Sequence, residues 1–574
     1  MAKRVADVLV DTLAAHGVER VYGVAGDSLN GITDSIRGRK SPTWTAVRHE
    51  ETAAFAAGAE AHLTGRLAVC VGSSGPGNLH LINGLYDCHR SRVPVLAIAA
   101  QIPSHELGTG YFQETRPEHL FAQCSHYCET VSQPDHMPRV LEIAIQTALA
   151  RRGVSVLALP GDIALRDAVE PAAGSPFAQA TPSLCPSDTE LAALATLLDA
   201  SEKVTILGGA GCAGAHAELV QLASTLQAPI VHAMRGKEFI EYDNPFDVGM
   251  TGLIGFASGY HAMMNCDVLL MLGTDFPYRQ FLPKDAKIVQ VDVRGEQLGR
   301  RARLDQGLVG DVRSTLRALL PRLTQHADDR HLRAALAHYQ KARKGLDELA
   351  VGEPGKRPIH PQYVARVVDE LAAPDAIFSC DVGTPTVWAA RYLAMNGRRR
   401  LLGSFNHGSM ANALPQAIGA QASHPGRQVV ALCGDGGLAM LLGDLLTLRQ
   451  HELPVKLVVF RNDALAFVEL EMKAAGLLDF ATGLRNPDFA RMATAAGLLG
   501  LTAETPEQVG PMITRALAHD GPALVEVLVA RQELSMPPTI TLEQMTGFGL
   551  FMLRAVLSGR GDEIIDLAKV NIFR

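Results

Sequence analysis

The sequence predicts an α/β protein of three consecutive open parallel-sheet domains, followed by a short tail. A repeating unit is the first reason: a short apolar run enters a glycine-bearing turn and a helical stretch follows, the pattern of βα units in a parallel sheet. Length is the second, because 574 residues exceed one hydrophobic core and set a prior of about three domains. Punctuation is the third. The link Thr181-Pro182-Ser183-Leu184-Cys185-Pro186 and, after a charged helix over 331–349, the link Gly352-Glu353-Pro354-Gly355 interrupt the repeat. Domains are therefore expected at 1–182, 183–336 and 337–532, with a tail at 533–574.

Composition is globular, 47% hydrophobic and 20% charged, so disorder is not expected. A net charge of −7 without a long basic run argues against a nucleic-acid partner. The run Arg398-Arg399-Arg400 reads as a solvated turn. Nine cysteines form no CxxC pair. Cys124 and Cys128, flanking His126, read as core thiols one helical turn apart, and the usage fits a reducing cytoplasm. At the N-terminus Asp7 and Asp11 interrupt any signal-like apolar run, leaving an amphipathic helix with Val5, Val8, Leu9 and Leu13 on one face. No stretch of about 20 apolar residues is present to span a bilayer.

In the first domain, strands are expected at 20–24, 44–47, 67–71, 93–99 and 154–159. Glu50 stands where a strand gives way to an Ala-rich helix over 52–63. It is either an acid favoured by the helix dipole or a functional carboxyl group. His49 reads as structural. Tyr111-Phe112-Gln113-Glu114 follows Gly108 and Gly110, as a surface loop or as an aromatic and an amide over a cavity.

In the second domain, strand 204–207 leads into Gly208-Gly209-Ala210-Gly211-Cys212-Ala213-Gly214, read as opening a helix. Downstream stand Arg235-Gly236-Lys237, Thr251-Gly252-Leu253-Ile254-Gly255 and Gly273-Thr274-Asp275-Phe276-Pro277-Tyr278-Arg279. Strand 288–291 ends at Asp292, and Gly310-Asp311 follows. An acid ending a strand can accept hydrogen bonds from a ribose, although a cofactor-free α/β spacer is the alternative.

The third domain carries the motif around which the chain is organised. Strand 377–380 enters Asp381-Val382-Gly383, and strand 401–404 enters Asn406-His407-Gly408-Ser409-Met410. Residues 429–433 then end in Gly434-Asp435-Gly436-Gly437. A helical pattern with Leu441, Leu442, Leu445, Leu446 and Leu448 follows, and strand 455–460 ends at Arg461-Asn462-Asp463. Asp435 and Asn462 thus close two parallel strands, where open α/β sheets bind ligands. A carboxylate and an amide oxygen are hard donors that suit Mg²⁺ shared with phosphate oxygens. The glycines let backbone N–H groups approach those phosphates, although a bare GDG triplet is otherwise a plain tight turn. Met410 and Phe467 read equally as packing residues. The first and third domains both place strand-turn-helix sites at sheet ends, which suggests a duplication.

The tail has an apolar segment of Phe548, Leu550, Phe551, Met552, Leu553, Ala555, Val556 and Leu557, broken by Gly559 and Gly561. Asp562-Glu563 then caps a helix with Ile564, Ile565, Leu567, Ala568 and Ile572 apolar and Asp566 and Lys569 polar. It is either a helix docked on its own subunit or an anchor lying in the headgroup plane.

Asp435 and Asn462 lie 27 positions apart, which resembles the GDG-to-Asn diphosphate motif of thiamine-diphosphate enzymes. The resemblance covers essentially the whole chain. RHEETAAFAAGAEA, GPGNLHLINGLYDCHR, HAMRGKE, EYDNPFDVGMTGLIGF, CDVGTPTVWAARYL, GSFNHGSMANALPQA and the tail SGRGDEIIDLAK look like the ubiquinone-linked, membrane-peripheral pyruvate oxidases of that family. The resemblance implies a thiamine-diphosphate-binding fold used twice, flanking a FAD-binding Rossmann-like domain, with an amphipathic tail. It implies Mg²⁺ on Asp435, Asn462 and the carbonyl of Ala464. It implies thiamine diphosphate on Glu50, Val382, Gly383, Gly408, Ser409, Met410, Gly434, Gly436, Gly437 and Phe467. FAD would lie on Gly211, Arg235, the 251–254 and 274–278 runs, Asp292 and Asp311.

By the same resemblance Glu50 drives the cofactor amine toward its imino form, and Met410 props the cofactor in a bent shape. Phe112 and Gln113 line the reaction cavity, and Phe467 sits between thiamine and flavin. The implied reaction converts pyruvate to acetate and CO₂, with electrons passing through FAD to ubiquinone or another membrane quinone. The implied setting is the cytoplasm, at the inner face of the cell membrane and in contact with its lipid. A dimer is obligatory and a tetramer usual, because the first domain of one subunit meets the third of another. One departure is Arg461, where the family usually has asparagine. Acetolactate synthases typically carry a tryptophan shortly after the metal asparagine, whereas here the tryptophans are Trp44 and Trp388. Phosphate-using pyruvate oxidases usually lack the tail, and a catalytically silent membrane-docking module need not keep Glu50, Asp435 and Asn462.

Overall fold

Strands of three to seven residues, the central ones apolar and buried on both faces, build three six-stranded parallel sheets in a computed structural model. It describes residues 3–168, 182–355, 357–531, 533, 542–558, 560, 562, 564, 567 and 571. The first sheet holds β1 (Arg20–Gly23), β2 (Thr43–Ala46), β3 (Ala68–Gly72), β4 (Val95–Gln101), β5 (Tyr127–Thr130) and β6 (Val154–Pro160), in the order β2-β1-β3-β4-β6-β5. The second holds β7 (Val204–Gly208), β8 (Ile230–His232), β9 (Asp247–Met250), β10 (Val268–Leu272), β11 (Lys287–Asp292) and β12 (Gln306–Val309). Its order, β12-β11-β10-β7-β8-β9, is that of dinucleotide-binding sheets. The third holds β13 (Ile377–Cys380), β14 (Arg400–Gly403), β15 (Val429–Gly434), β16 (Lys456–Arg461), β17 (Leu499–Ala503) and β18 (Ala523–Leu528). Its order, β14-β13-β15-β16-β18-β17, repeats that of the first sheet strand for strand, which supports the duplication.

Alternation along each strand divides the core. In β3, Ala68 and Cys70 face one cluster while Val69 and Val71 face another. In β15, Val429, Ala431 and Cys433 join the same cluster as Ala68 and Cys70, so one core runs from the first sheet to the third. Helices Glu50–Thr64 and Ala413–Ser423 cross within it. They approach so closely that a Cβ on Gly419 would lie 2.0 Å from the Ala56 carbonyl oxygen, which explains glycine there. Asp444 ties the same two domains: its carboxylate accepts the Arg48 amide at 2.9 Å and the Thr52 hydroxyl at 2.7 Å.

Several expectations are corrected. The leucine-rich segment after Asp435 is not one helix. It breaks into Asp435–Met440, a 3₁₀ turn at Leu442–Asp444, and Leu445–Gln450, so that Asp444 can reach the first domain. The glycine run after β7 opens a 3₁₀ turn, Ala210–Cys212, and the helix starts only at His216. Cys128 lies on strand β5, not one helical turn from Cys124, although both thiols belong to the core or pack against it. Arg398-Arg399-Arg400 is only partly solvated. Arg399 is buried on Asp369 at 2.6 Å, and Arg400 pairs with Glu238 at 2.7 Å, so each charge has a carboxylate partner.

Among the described residues no helix is long and apolar enough to cross a membrane. The tail helix, Leu542–Leu557, buries Phe551 and Ala555 and leaves Met545, Leu553, Val556 and Leu557 exposed. Gly547 packs on the Ala474 carbonyl at the end of helix Ala466–Ala474, and the Phe551 ring lies 5.4 Å from Lys473 Nζ. Thr181, Gly559, Gly561, Glu563, Ile565, Asp566, Ala568, Lys569 and Ile572 lie outside the described residues.

Candidate active site

In the third sheet the chain leaves β13 and β15 toward opposite sides, and a crevice opens between their carboxyl ends. Asp435 stands in it, buried and ringed by donors. Its Oδ2 accepts the amides of Asn462 at 3.0 Å and Asp463 at 2.7 Å and the Asn486 side-chain amide at 2.9 Å. Its Oδ1 accepts the Gly436 amide at 2.8 Å. Burial pushes its pKa up against these bonds, so a divalent cation here would offset the cost of the buried charge. The Asn462 Oδ1 accepts the Ala464 amide at 3.1 Å, and Asp463 adopts a positive φ of 55°. This loop is pinned by Leu465 N–H to the Thr482 carbonyl and Leu484 N–H to the Asp463 carbonyl, both at 2.8 Å. An acid, an amide oxygen and a nearby carbonyl match the oxygen chemistry of Mg²⁺ bound with phosphates.

Arg461, the departure from the expected asparagine, is committed elsewhere: it pairs with buried Glu526 at 2.9 Å and with Asp463 at 3.0 Å. It braces the loop and leaves the side chain of Asn462 as the donor. The Met410 Cε lies 3.5 Å from the point a Gly436 Cβ would occupy, which places this side chain over the glycine loop. Two residues that sequence reasoning passed over join the site: Asn486, through Asp435, and Asp381, whose carboxylate accepts the Gly434 amide at 3.1 Å.

A cavity of about 650 Å³ opens from this crevice. Val382, Gly383, Gly408, Met410, Gly434 to Gly437, Asn462, Ala464 and Phe467 line it from the third domain. Gly211, Arg235, Thr251 to Ile254, Thr274 to Tyr278, Asp292 and Asp311 line it from the second. The loops after β7 and β10, the switch point of the middle sheet, meet backbone to backbone. A Cβ on Gly211 would lie 2.6 Å from the Gly273 Cα. Arg92 and Arg294 both reach Asp275, at 3.1 and 3.3 Å, and Arg235 is held by the Ser91 carbonyl at 2.9 Å. Burial lowers the pKa of Arg92 to about 10, with the neighbouring Arg294 adding to the effect. Asp311 caps helix Val312–Leu319 and also accepts the Leu184 amide at 2.9 Å, so much of its capacity is structural.

Glu50, Phe112, Gln113 and Ser409 do not line this cavity. Ser409 faces the domain boundary, accepting from the Asn83 amide at 2.8 Å. The other three gather in the first domain beyond β3. Glu50 is the first residue of its helix, two positions earlier than expected, with its carboxylate 2.9 Å from His80 Nδ1. Gly77 packs against that carboxylate, a Cβ there falling 2.9 Å from Oε1. The Ser74 hydroxyl donates to Gln113 Oε1 at 3.0 Å, and Phe112 is 78% exposed beside it. His49 is structural, as expected: its Nδ1 accepts the Glu51 amide at 3.2 Å and its ring stacks on His80.

Three family models match consecutive segments of the chain. They are the thiamine pyrophosphate enzyme N-terminal TPP binding domain at residues 3–120, the central domain at 191–319 and the C-terminal TPP binding domain at 381–527. A putative thiamine pyrophosphate-containing protein, YdaP, of Bacillus subtilis is 37% identical over 99% of this chain and 98% of its own. The pyruvate oxidase of Lactiplantibacillus plantarum is 31% identical over 91% of this chain and 88% of its own. An acetolactate synthase of Arthrospira platensis is also 31% identical, over 92% of this chain and 94% of its own.

Proposed function

We propose that this chain, which belongs to the thiamine pyrophosphate enzyme family, oxidatively decarboxylates pyruvate to acetate and passes the electrons through FAD to a membrane quinone. One observation carries the proposal: the Mg²⁺-type crevice and the switch point of the middle sheet open into one cavity. A thiamine head and a flavin ring held from the two sides would lie within reach of one another. Bound thiamine diphosphate supplies a nucleophilic carbon and an electron sink for decarboxylating 2-keto acids, and FAD supplies two-electron acceptance.

The chain's own residues do the rest. Asp435 and Asn462 hold the metal and so fix the diphosphate. Gly211 and Gly273 bring backbone close enough to cradle the second cofactor, while Leu465 and Phe467 give the cavity an apolar wall between the halves. Glu50 sits outside its own chain's cavity, so a second copy, through its first domain, completes the site in a homo-oligomer. Of the rival activities, acetolactate synthesis is disfavoured because no tryptophan follows Asn462 in the sequence. The test is the absorbance of purified protein. Flavin bands bleached by pyruvate without oxygen are expected, whereas a flavin-free preparation or accumulating acetolactate would overturn the reading.

The same proposal places the enzyme at the inner face of the cell membrane through the exposed apolar side of helix Leu542–Leu557. Leu553 and Leu557 are 57% and 77% exposed, so replacing both with glutamate removes apolar surface without disturbing the docked side at Phe551. The double variant is expected to lose co-sedimentation with phospholipid vesicles. Equal co-sedimentation would leave the helix a structural element only.

A further inference from the structure

Below the glycine loop lies a carboxylate that the chemistry above does not use. Asp381 follows β13 directly and is 1% exposed. Its Oδ1 accepts the Ala413 amide at 2.9 Å and its Oδ2 accepts the Gly434 amide at 3.1 Å. Those amides belong to different segments, one just beyond Met410 and one opening the Gly434-Asp435-Gly436-Gly437 loop. The next residue, Val382, is held by Asn412 Oδ1 at 3.3 Å, and Asn412 Nδ2 in turn bonds the Cys380 carbonyl at 2.9 Å. A Cβ on Gly437 would lie 2.4 Å from Asp381 Oδ2. One buried side chain therefore joins its own segment to the two others that line the crevice.

We propose that Asp381 is the positioning residue of the diphosphate site, tying the 381–383, 410–413 and 434–437 segments into one register, and that position 437 is glycine because this carboxylate occupies the space. The assignment rests on reading the crevice as the site of Mg²⁺ and thiamine diphosphate. Both carboxylate oxygens accept backbone N–H groups, and burial pushes this acid up to about 7. Asparagine keeps the shape but turns an NH₂ toward one of those N–H donors, so one tie is lost. The side chain is not among those lining the cavity, and its influence passes through the loops it holds.

The test uses full-length protein stripped of metal and thiamine diphosphate. Mg²⁺ and thiamine diphosphate are titrated together and followed by calorimetry or intrinsic fluorescence. Asp381→Asn is expected to weaken binding roughly 10–100-fold, the range for residues that orient ligands from behind. The lost tie costs the stripped protein some thermal stability, so affinity is read well below its thermal midpoint, where its flavin content should hold. A merely structural residue would lower the midpoint and leave the affinity of the folded fraction unchanged. Gly437→Ala is a second probe, acting on the same contact from the opposite side. Its loss of affinity combined with that of Asp381→Asn should be less than additive. Wild-type affinity in Asp381→Asn, or additive losses in the double variant, would overturn the assignment alone. Failure of the wild-type protein to bind would instead remove the reading of the crevice, and the assignment with it.

Discussion

Glu50→Gln is expected to leave Mg²⁺ and thiamine diphosphate bound while cutting pyruvate turnover by about 10²–10⁴-fold, the contribution of a positioned proton-transfer group. The substitution preserves shape and keeps a hydrogen-bond partner for His80, which lies 2.9 Å from the carboxylate. It removes the one capability glutamine lacks, carrying a proton. Burial and a place at the start of helix Glu50–Thr64 suit Glu50 to that role. Gly77 leaves the space beside its Oε1 free of a side chain. Steady-state turnover against cofactor occupancy in the same preparation separates the two effects. Unchanged turnover would return Glu50 to the standing of a helix-terminal acid.

Asp435→Ala should have the opposite signature, with retention of thiamine diphosphate lost and flavin kept. The carboxylate accepts hydrogen bonds from Asn462, Asp463, Asn486 and Gly436, and each bond to a charged acceptor is worth roughly 1.5–3 kcal/mol. Losing the metal ligand together with the loop geometry these bonds fix predicts an affinity at least about 10–100-fold weaker. The middle domain supplies its own half of the cavity from the loops after each of its six strands, β7 to β12, so flavin content serves as the control for folding. Simultaneous loss of both cofactors would instead mark general collapse of the third domain, and undiminished binding would remove Asp435 from the site.

The parts of this site written in contiguous residues were legible in the sequence. Gly434-Asp435-Gly436-Gly437 and Asn462 announce themselves because strand, turn and ligand are neighbours in the chain. The three parallel sheets followed from the repeated apolar run and turn. What escaped was carried by distance. Asn486 reaches Asp435 from 51 positions away, and Asp381 reaches Gly434 from 53, so neither role leaves a local pattern. The charge run at Arg398 looked solvated because its carboxylate partners, Asp369 and Glu238, belong to other segments. The long leucine pattern after Asp435 concealed a break because hydrophobic periodicity does not register the pull of Asp444 toward Arg48 and Thr52. Short strands such as β8, with three residues, carry too little alternation to be read at all.

Diffraction from crystals grown with Mg²⁺ and thiamine diphosphate would show what the crevice holds. A metal is expected about 2.0–2.1 Å from side-chain oxygens of Asp435 and Asn462 and from the Ala464 carbonyl, beside the diphosphate. Glu50 of the partner subunit should lie at the other end of the molecule. A crevice closed by protein side chains, or a cofactor bound away from Asp435 and Asn462, would contradict the proposed site.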